Sequence, residues 1–176
     1  MTENSKRLFF TIVFALVFYV TGASFVQSFV NYPTWKLIGE GEFQIYHNQM
    51  SPLIVKFMVL PWLLEIALTV LMFWLRPRIV PVGAVALALI FNLVAVASTV
   101  IIQIPIQIEL GENGLSLHAI DKLLETDPIR WASGILRAFL YVWMMSRVVR
   151  SADIIDEAQR EAFASTSFSN AETRTE

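Results

Sequence analysis

Three residues of this chain sit where polar side chains are costly: Glu65, Asn92 and Arg137 each interrupt a long apolar run. At a rise of about 1.5 Å per residue, all three fall roughly 15–20 Å from the ends of their runs that bear the basic residues, close to the middle of a bilayer. A lone charge at that depth costs about 2.5–3.5 kcal/mol on insertion scales and more on others. A Glu65–Arg137 ion pair offsets much of this, and Asn92 can add hydrogen bonds to either partner. Glu65 and Arg137 are therefore the candidate catalytic residues. Two readings of the pair stand side by side. It is a ligand or proton site, or it is structural glue that fixes the register of membrane helices.

Further polar residues share faces with these three. Thr21, Ser24 and Ser28 recur at helical spacing, as do Glu65 and Thr69, and Arg130, Ser133, Arg137 and Tyr141. Toward the other end of the runs lie Gln27, Gln103, Gln107 and Arg130, with Tyr46 and His47 placed to close the top. Asn92, Gln103, Gln107, Arg130 and His47 are the expected ligand-binding residues, forming the wall of a polar pocket open to the outer side.

Several chemistries are excluded by type. The chain has no cysteine, so thiolate catalysis, disulfides and Cys-ligated metal centres are absent. Two histidines, His47 and His118, cannot make a three-histidine metal site; they read as ordinary loop residues or as a pair that holds a metal or haem, and no metal ligand is assigned. No nucleophile elbow, phosphate-binding glycine loop or HExxH occurs. The net charge of −2 gives no footprint for nucleic acid. The sequence names no cofactor, and whether the protein is an enzyme stays open.

The elements that position these residues follow from composition. Of 176 residues, 56% are hydrophobic and 16% charged, and the charges cluster between apolar runs. Spanning hydrocarbon takes about 20 apolar residues as a helix, and lipid tolerates no free backbone group. Four segments qualify, near 8–30, 52–75, 80–104 and 129–149. The expected fold is all-α, a four-transmembrane-helix bundle over residues 1–150. Pro33 and Pro105 are expected to end the first and third helices, and Pro61 to kink the second. Ser51-Pro52 and Asp127-Pro128 read as capped helix starts. A short amphipathic helix is expected over 116–126. The tail, 151–176, is expected to continue the last helix in part and to be disordered from Ser165.

Basic residues fix the expected orientation. Lys6, Arg7, Arg76, Arg78, Arg147 and Arg150 fall on one side of alternating helices. Glu40, Glu42, Glu109, Glu112, Asp121, Glu125 and Asp127 fall on the other. Both termini are thus expected in the cytoplasm. Tyr32, Trp35, Trp74 and Trp131 read as interfacial anchors. Pro33 precedes Gly39 as Pro105 precedes Gly111, with a histidine following in each case. This spacing reads either as two duplicated helical hairpins or as coincidence among common loop residues.

The stretches Gly22…Tyr32-Pro33…Phe43…Tyr46-His47, Pro61 with Glu65, Gln103-Ile104-Pro105-Ile106-Gln107…Leu110, Asp127-Pro128-Ile129-Arg130-Trp131 and Arg137 resemble a group of bacterial four-helix membrane proteins. They are similar to the anthrone-oxygenase-like membrane proteins. A histidine or asparagine often stands in that family where Gln107 stands here. The resemblance implies a bundle in the bacterial inner membrane with polar groups converging near its outer side. It also implies an oxygenase acting on an aromatic, polyketide-like substrate. In such an enzyme Glu65 would take a proton from an acidic carbon or phenol, and Arg130 or Arg137 would stabilise the anion. The expected partners are the lipid bilayer, a small apolar or aromatic ligand and a second copy of the chain. A transporter or channel subunit and a non-catalytic accessory protein are the alternative functions.

Overall fold

In a computed structural model, apolar periodicity produces helices throughout the described residues. Backbone is described for residues 1–172 and side chains for residues 1–152; the expectation for Ser165–Glu176 lies outside the fully described residues. Helix α1 spans Glu3–Trp35, α2 Glu40–Leu75 and α3 Val82–Asn113. The amphipathic α4, Leu117–Thr126, starts on Ser116, whose hydroxyl accepts from the Ala119 amide. Asp127 separates it from α5, Pro128–Glu172, which begins on its proline. The fold is an all-α four-helix bundle in which α1, α2, α3 and the α4–α5 pair are each long and apolar enough to cross a membrane. Exposed apolar side chains such as Leu63, Leu64, Ile90, Leu93 and Phe139 clothe its outside. An apolar surface of that extent belongs against lipid, not water.

Three helices run further than their apolar windows. Pro33, Pro61 and Pro105 do not stop or sharply break them. Each proline is preceded by a π-turn at the same offset: Gln27–Asn31, Val55–Val59 and Thr99–Gln103. The amides of Tyr32, Leu60 and Ile104 reach back five residues, to Gln27, Val55 and Thr99. A π-turn holds one residue more than an α-turn, so one carbonyl in it has no amide to accept from. Proline, which has no amide to give, fits directly after it. At Pro61 the carbonyl four residues back belongs to Phe57, and the Tyr19 hydroxyl of α1 donates to it at 2.8 Å. A neighbouring helix thereby supplies the hydrogen bond that proline removes. Pro52 likewise lies inside α2 and not at its start. The chain turns at Gly114, whose φ of 81° is a left-handed conformation that favours glycine.

The bundle has two apolar cores. One, at the end that bears the N-terminus, gathers Phe10, Val13, Val17, Met72, Val85, Ala88, Tyr141 and Met144. The other, at the loop end, packs Tyr32, Trp35 and Phe43 against Ile106, Leu110, Ile120 and Leu123. Burying α4's apolar stripe makes that second core. Lys36 pairs with Asp121 across it, and Gln44 donates to the Gly111 and Glu112 carbonyls at 3.1 and 2.8 Å.

Candidate functional site

Between the two cores the interior is polar, and its residues fall into two groups. The first is centred on Glu65. Its Oε2 lies 2.9 Å from Arg137 Nη1, and its Oε1 accepts from Asn92 Nδ2 and Thr69 Oγ1, each at 3.1 Å. Arg137 also donates to Asn92 Oδ1, which takes a second bond from Trp62 Nε1 at 3.1 Å. Thr69 in turn meets the Tyr141 hydroxyl at 3.0 Å. Glu65, Thr69, Asn92 and Tyr141 have no exposure. The carboxylate is thus held by three donors from three helices, the arrangement that makes a buried charge tolerable.

The second group lies toward the loop end. Asp127 Oδ1 is 2.6 Å from Arg130 Nη2, which also donates to Tyr32 Oη at 3.4 Å and Ser28 Oγ at 3.5 Å. The guanidinium stands over the Tyr32 ring, 5.6 Å from its centroid. Tyr32 Oη accepts from Gln107 Nε2 at 3.3 Å, and Gln107 Oε1 contacts His47 Nε2 at 2.8 Å. His47 is buried against the Trp35 and Phe43 rings, whereas His118 is exposed on α4. Gly111 passes so close to His47 and Asn48 that an added Cβ would lie 3.1 Å from Asn48 Oδ1.

A cavity of about 60 Å³ separates the two groups. All four membrane-crossing segments wall it: Thr21, Ser24 and Phe25; Met58, Val59 and Trp62; Ala95 and Thr99; Arg130, Gly134 and Arg137. Its floor is Arg137 and its far wall Arg130, two turns apart on α5. Both arginines are more than nine-tenths buried, with 3% and 8% exposure. Each keeps an Nε–H without a partner, and the Thr99 hydroxyl is also unpaired. The π-turns explain why a void forms here. Val59 and Thr99 belong to two of them, Ser24 and Phe25 lie just before the third, and α2 buries no side chain between His47 and Glu65.

Of the residues singled out by sequence, Arg130 and Arg137 line the cavity, and Glu65 and Asn92 hold Arg137 from behind. His47 and Gln107 lie beyond it at the loop end, and Gln103 donates to Thr126 Oγ1 at 3.4 Å. An opening at the outer end was expected, with His47 and Tyr46 as its closure. The second apolar core fills that end instead, because α4 folds its apolar face onto α1 and α3. Three participants escaped the sequence reading. Tyr32 looked like an interfacial anchor, yet it lies four residues after Ser28 on the same face. Trp62 stands three residues before Glu65. Asp127 looked only like a cap, although it precedes Arg130 by the spacing of a helical ion pair.

Compared with family models, curated proteins and solved structures, the chain matches none of them. The class its fold and interior define is an integral membrane four-helix bundle with a polar layer and a cavity at mid-depth.

Proposed function

We propose that this protein binds a small, partly apolar molecule in the cavity between Arg130 and Arg137. The observation that carries the reading is the pair of buried guanidiniums facing one void, each with an unpaired Nε–H. Buried donors are nearly always satisfied, and a bound molecule that offers acceptor oxygen to the void is the simplest partner for them. π-turns in three helices around a single void point the same way, because such turns recur at functional sites. If the resemblance of the Tyr32-Pro33 and Gln103–Gln107 stretches to anthrone-oxygenase-like proteins holds, the ligand is aromatic, converted or merely held. In this reading both termini face the cytoplasm, in agreement with the distribution of basic residues.

Glu65 then has a positioning role. Its oxygens are engaged by Arg137, Asn92 and Thr69, and it orients Arg137 toward the cavity. A structural reading of the polar layer is favoured by that same completeness, and the two readings separate experimentally. Asp127→Asn combined with Arg130→Gln removes the pair without stranding a buried charge, and should leave helicity and the thermal midpoint in mild detergent close to wild type. Solvent extracts of the purified variant, examined by mass spectrometry, should lack a small molecule that co-purifies with wild type. Identical extracts from both proteins would leave only the structural reading, with water filling the void.

A further inference from the structure

The central cavity does not stand alone. A second, apolar depression of about 380 Å³ runs along the outside of the bundle between α1 and α5, lined by Phe18, Gly22, Ile135, Ala138, Phe139 and Val142. Thr21 and Phe25 belong to its wall and to the wall of the central cavity, so the two spaces adjoin there. Glycines flank the junction on both helices. A Cβ built at Gly22 or at Gly134 would meet nothing within 4 Å.

We infer that the ligand is a lipid-soluble molecule with a neutral carbonyl-type head, and that it reaches the cavity sideways from the bilayer through the α1–α5 groove. This inference rests on the binding reading above and adds the route and the chemical class. The sizes divide the molecule. A single water needs about 10–15 Å³ of such volume, so about 60 Å³ takes a small polar head but not a whole ligand. The groove, at about 380 Å³, falls in the range of ligand sites, roughly 300–1,000 Å³. Its lining is apolar, which suits a ring or chain that already resides in lipid.

Charge accounting selects a neutral head over an anionic one. Arg137 is paired with Glu65 and Arg130 with Asp127, so the cavity wall carries two cations already balanced by two anions. A third anion would arrive without a counter-charge in a medium that penalises it. On the cavity wall itself the unsatisfied groups are the two Nε–H donors and the Thr99 hydroxyl. The Thr21 hydroxyl is spent on the Val17 carbonyl at 2.8 Å. A carbonyl oxygen accepts two hydrogen bonds and brings no charge.

Benzophenone, an apolar diaryl ketone that inserts into C–H bonds under ultraviolet light, serves as the probe. Protein in phospholipid nanodiscs is illuminated after timed exposure, and labelled peptides are mapped by mass spectrometry. Wild type should label saturably on residues that wall the cavity and not the groove, among them Met58, Val59 and Thr99. Gly134→Leu fills the cavity and should abolish that labelling. Gly22→Leu narrows only the groove; it should slow the approach to saturation by roughly tenfold, an added barrier of about 1.4 kcal/mol, while the plateau stays unchanged. An unchanged rate in Gly22→Leu, with labelling lost in Gly134→Leu, would overturn the lateral route and leave the cavity site standing. Unchanged labelling in Gly134→Leu, or none in wild type, would overturn both. Binding of decanoate, an anion, with displacement of benzophenone at equal concentration would overturn the neutral head.

Discussion

Two buried ion pairs among the described residues stand on opposite sides of one void, and their surroundings differ. Glu65–Arg137 is backed by regular helix, by Asn92, Thr69 and Tyr141, and by the packed core of Phe10, Met72 and Met144. Asp127–Arg130 sits among π-turned helices, with unpaired polar atoms at Thr99, Gln103 and Arg130 itself; in the first pair Arg137 Nε is likewise unpaired where it borders the void. Where the backbone keeps 3.6 residues per turn, side chains of four helices meet and close the interior. Where three prolines each impose a wider turn, the helices lose register with one another and the interior opens. Regular turns place the buried charge that holds the bundle; irregular turns make the space that the charge faces. The first region resists change, and the second has room for it.

That contrast can be broken most forcefully at the first pair. Arg137→Met strips the counter-charge from Glu65 and should cost about 3–5 kcal/mol, read as a drop in unfolding free energy in mild detergent. Glu65→Met combined with Arg137→Met should recover most of the loss. A double variant no better than the single would mean that the pair's geometry, and not charge compensation, holds the helices. Next in size is a test of packing. Ala88→Leu overfills the closed core and should cost about 1–3 kcal/mol. Gly134→Leu, with the same final side chain on the cavity wall, should cost nothing measurable. Equal losses at both sites would show that the cavity closes around its own wall.

Smaller effects sharpen the account of the π-turns. Tyr19→Phe removes the donor to the Phe57 carbonyl and should cost about 0.5–1.5 kcal/mol. In a Pro61→Ala background the helix can satisfy that carbonyl itself, and the same substitution should become neutral. A cycle with no coupling between positions 19 and 61 would detach the hydroxyl from the proline. The smallest expected effect is at Thr99→Val, nearly isosteric and facing the void. Stability should change by less than about 0.5 kcal/mol, while any bound carbonyl compound should be held less tightly in a competition assay.

Much of this was legible in the residues. Four apolar runs gave the four crossings, and the depths of Glu65, Asn92 and Arg137 anticipated that they would meet. The amphipathic spacing of Leu117, Ile120, Leu123 and Leu124 marked α4 before its packing was known. The helix ends were harder, and for a definite reason. Apolar windows register hydrocarbon, and α1, α2 and α3 continue beyond it into a cap held by polar contacts such as Lys36–Asp121, Gln44–Gly111 and His47–Gln107. Proline was read as a stop at Pro33 and Pro105, whereas the backbone absorbs it with one extra residue per turn. The repeated offset of π-turn and proline would have been visible only to a reader who expected helices to survive it. The cavity was illegible for the same reason, since it arises from backbone widening and not from any residue type. Tyr32 and Trp35 illustrate a third limit. Their types suit an interface, and only the fold of α4 over them makes them interior.

The most direct test of the central claim is native mass spectrometry of protein released from its own membrane, with wild type and Gly134→Leu side by side. The account predicts one small adduct per wild-type chain, of a mass that suits a lipid-soluble carbonyl compound, and none on Gly134→Leu at equal thermal stability. An adduct carried equally by both proteins, or by neither, would contradict it.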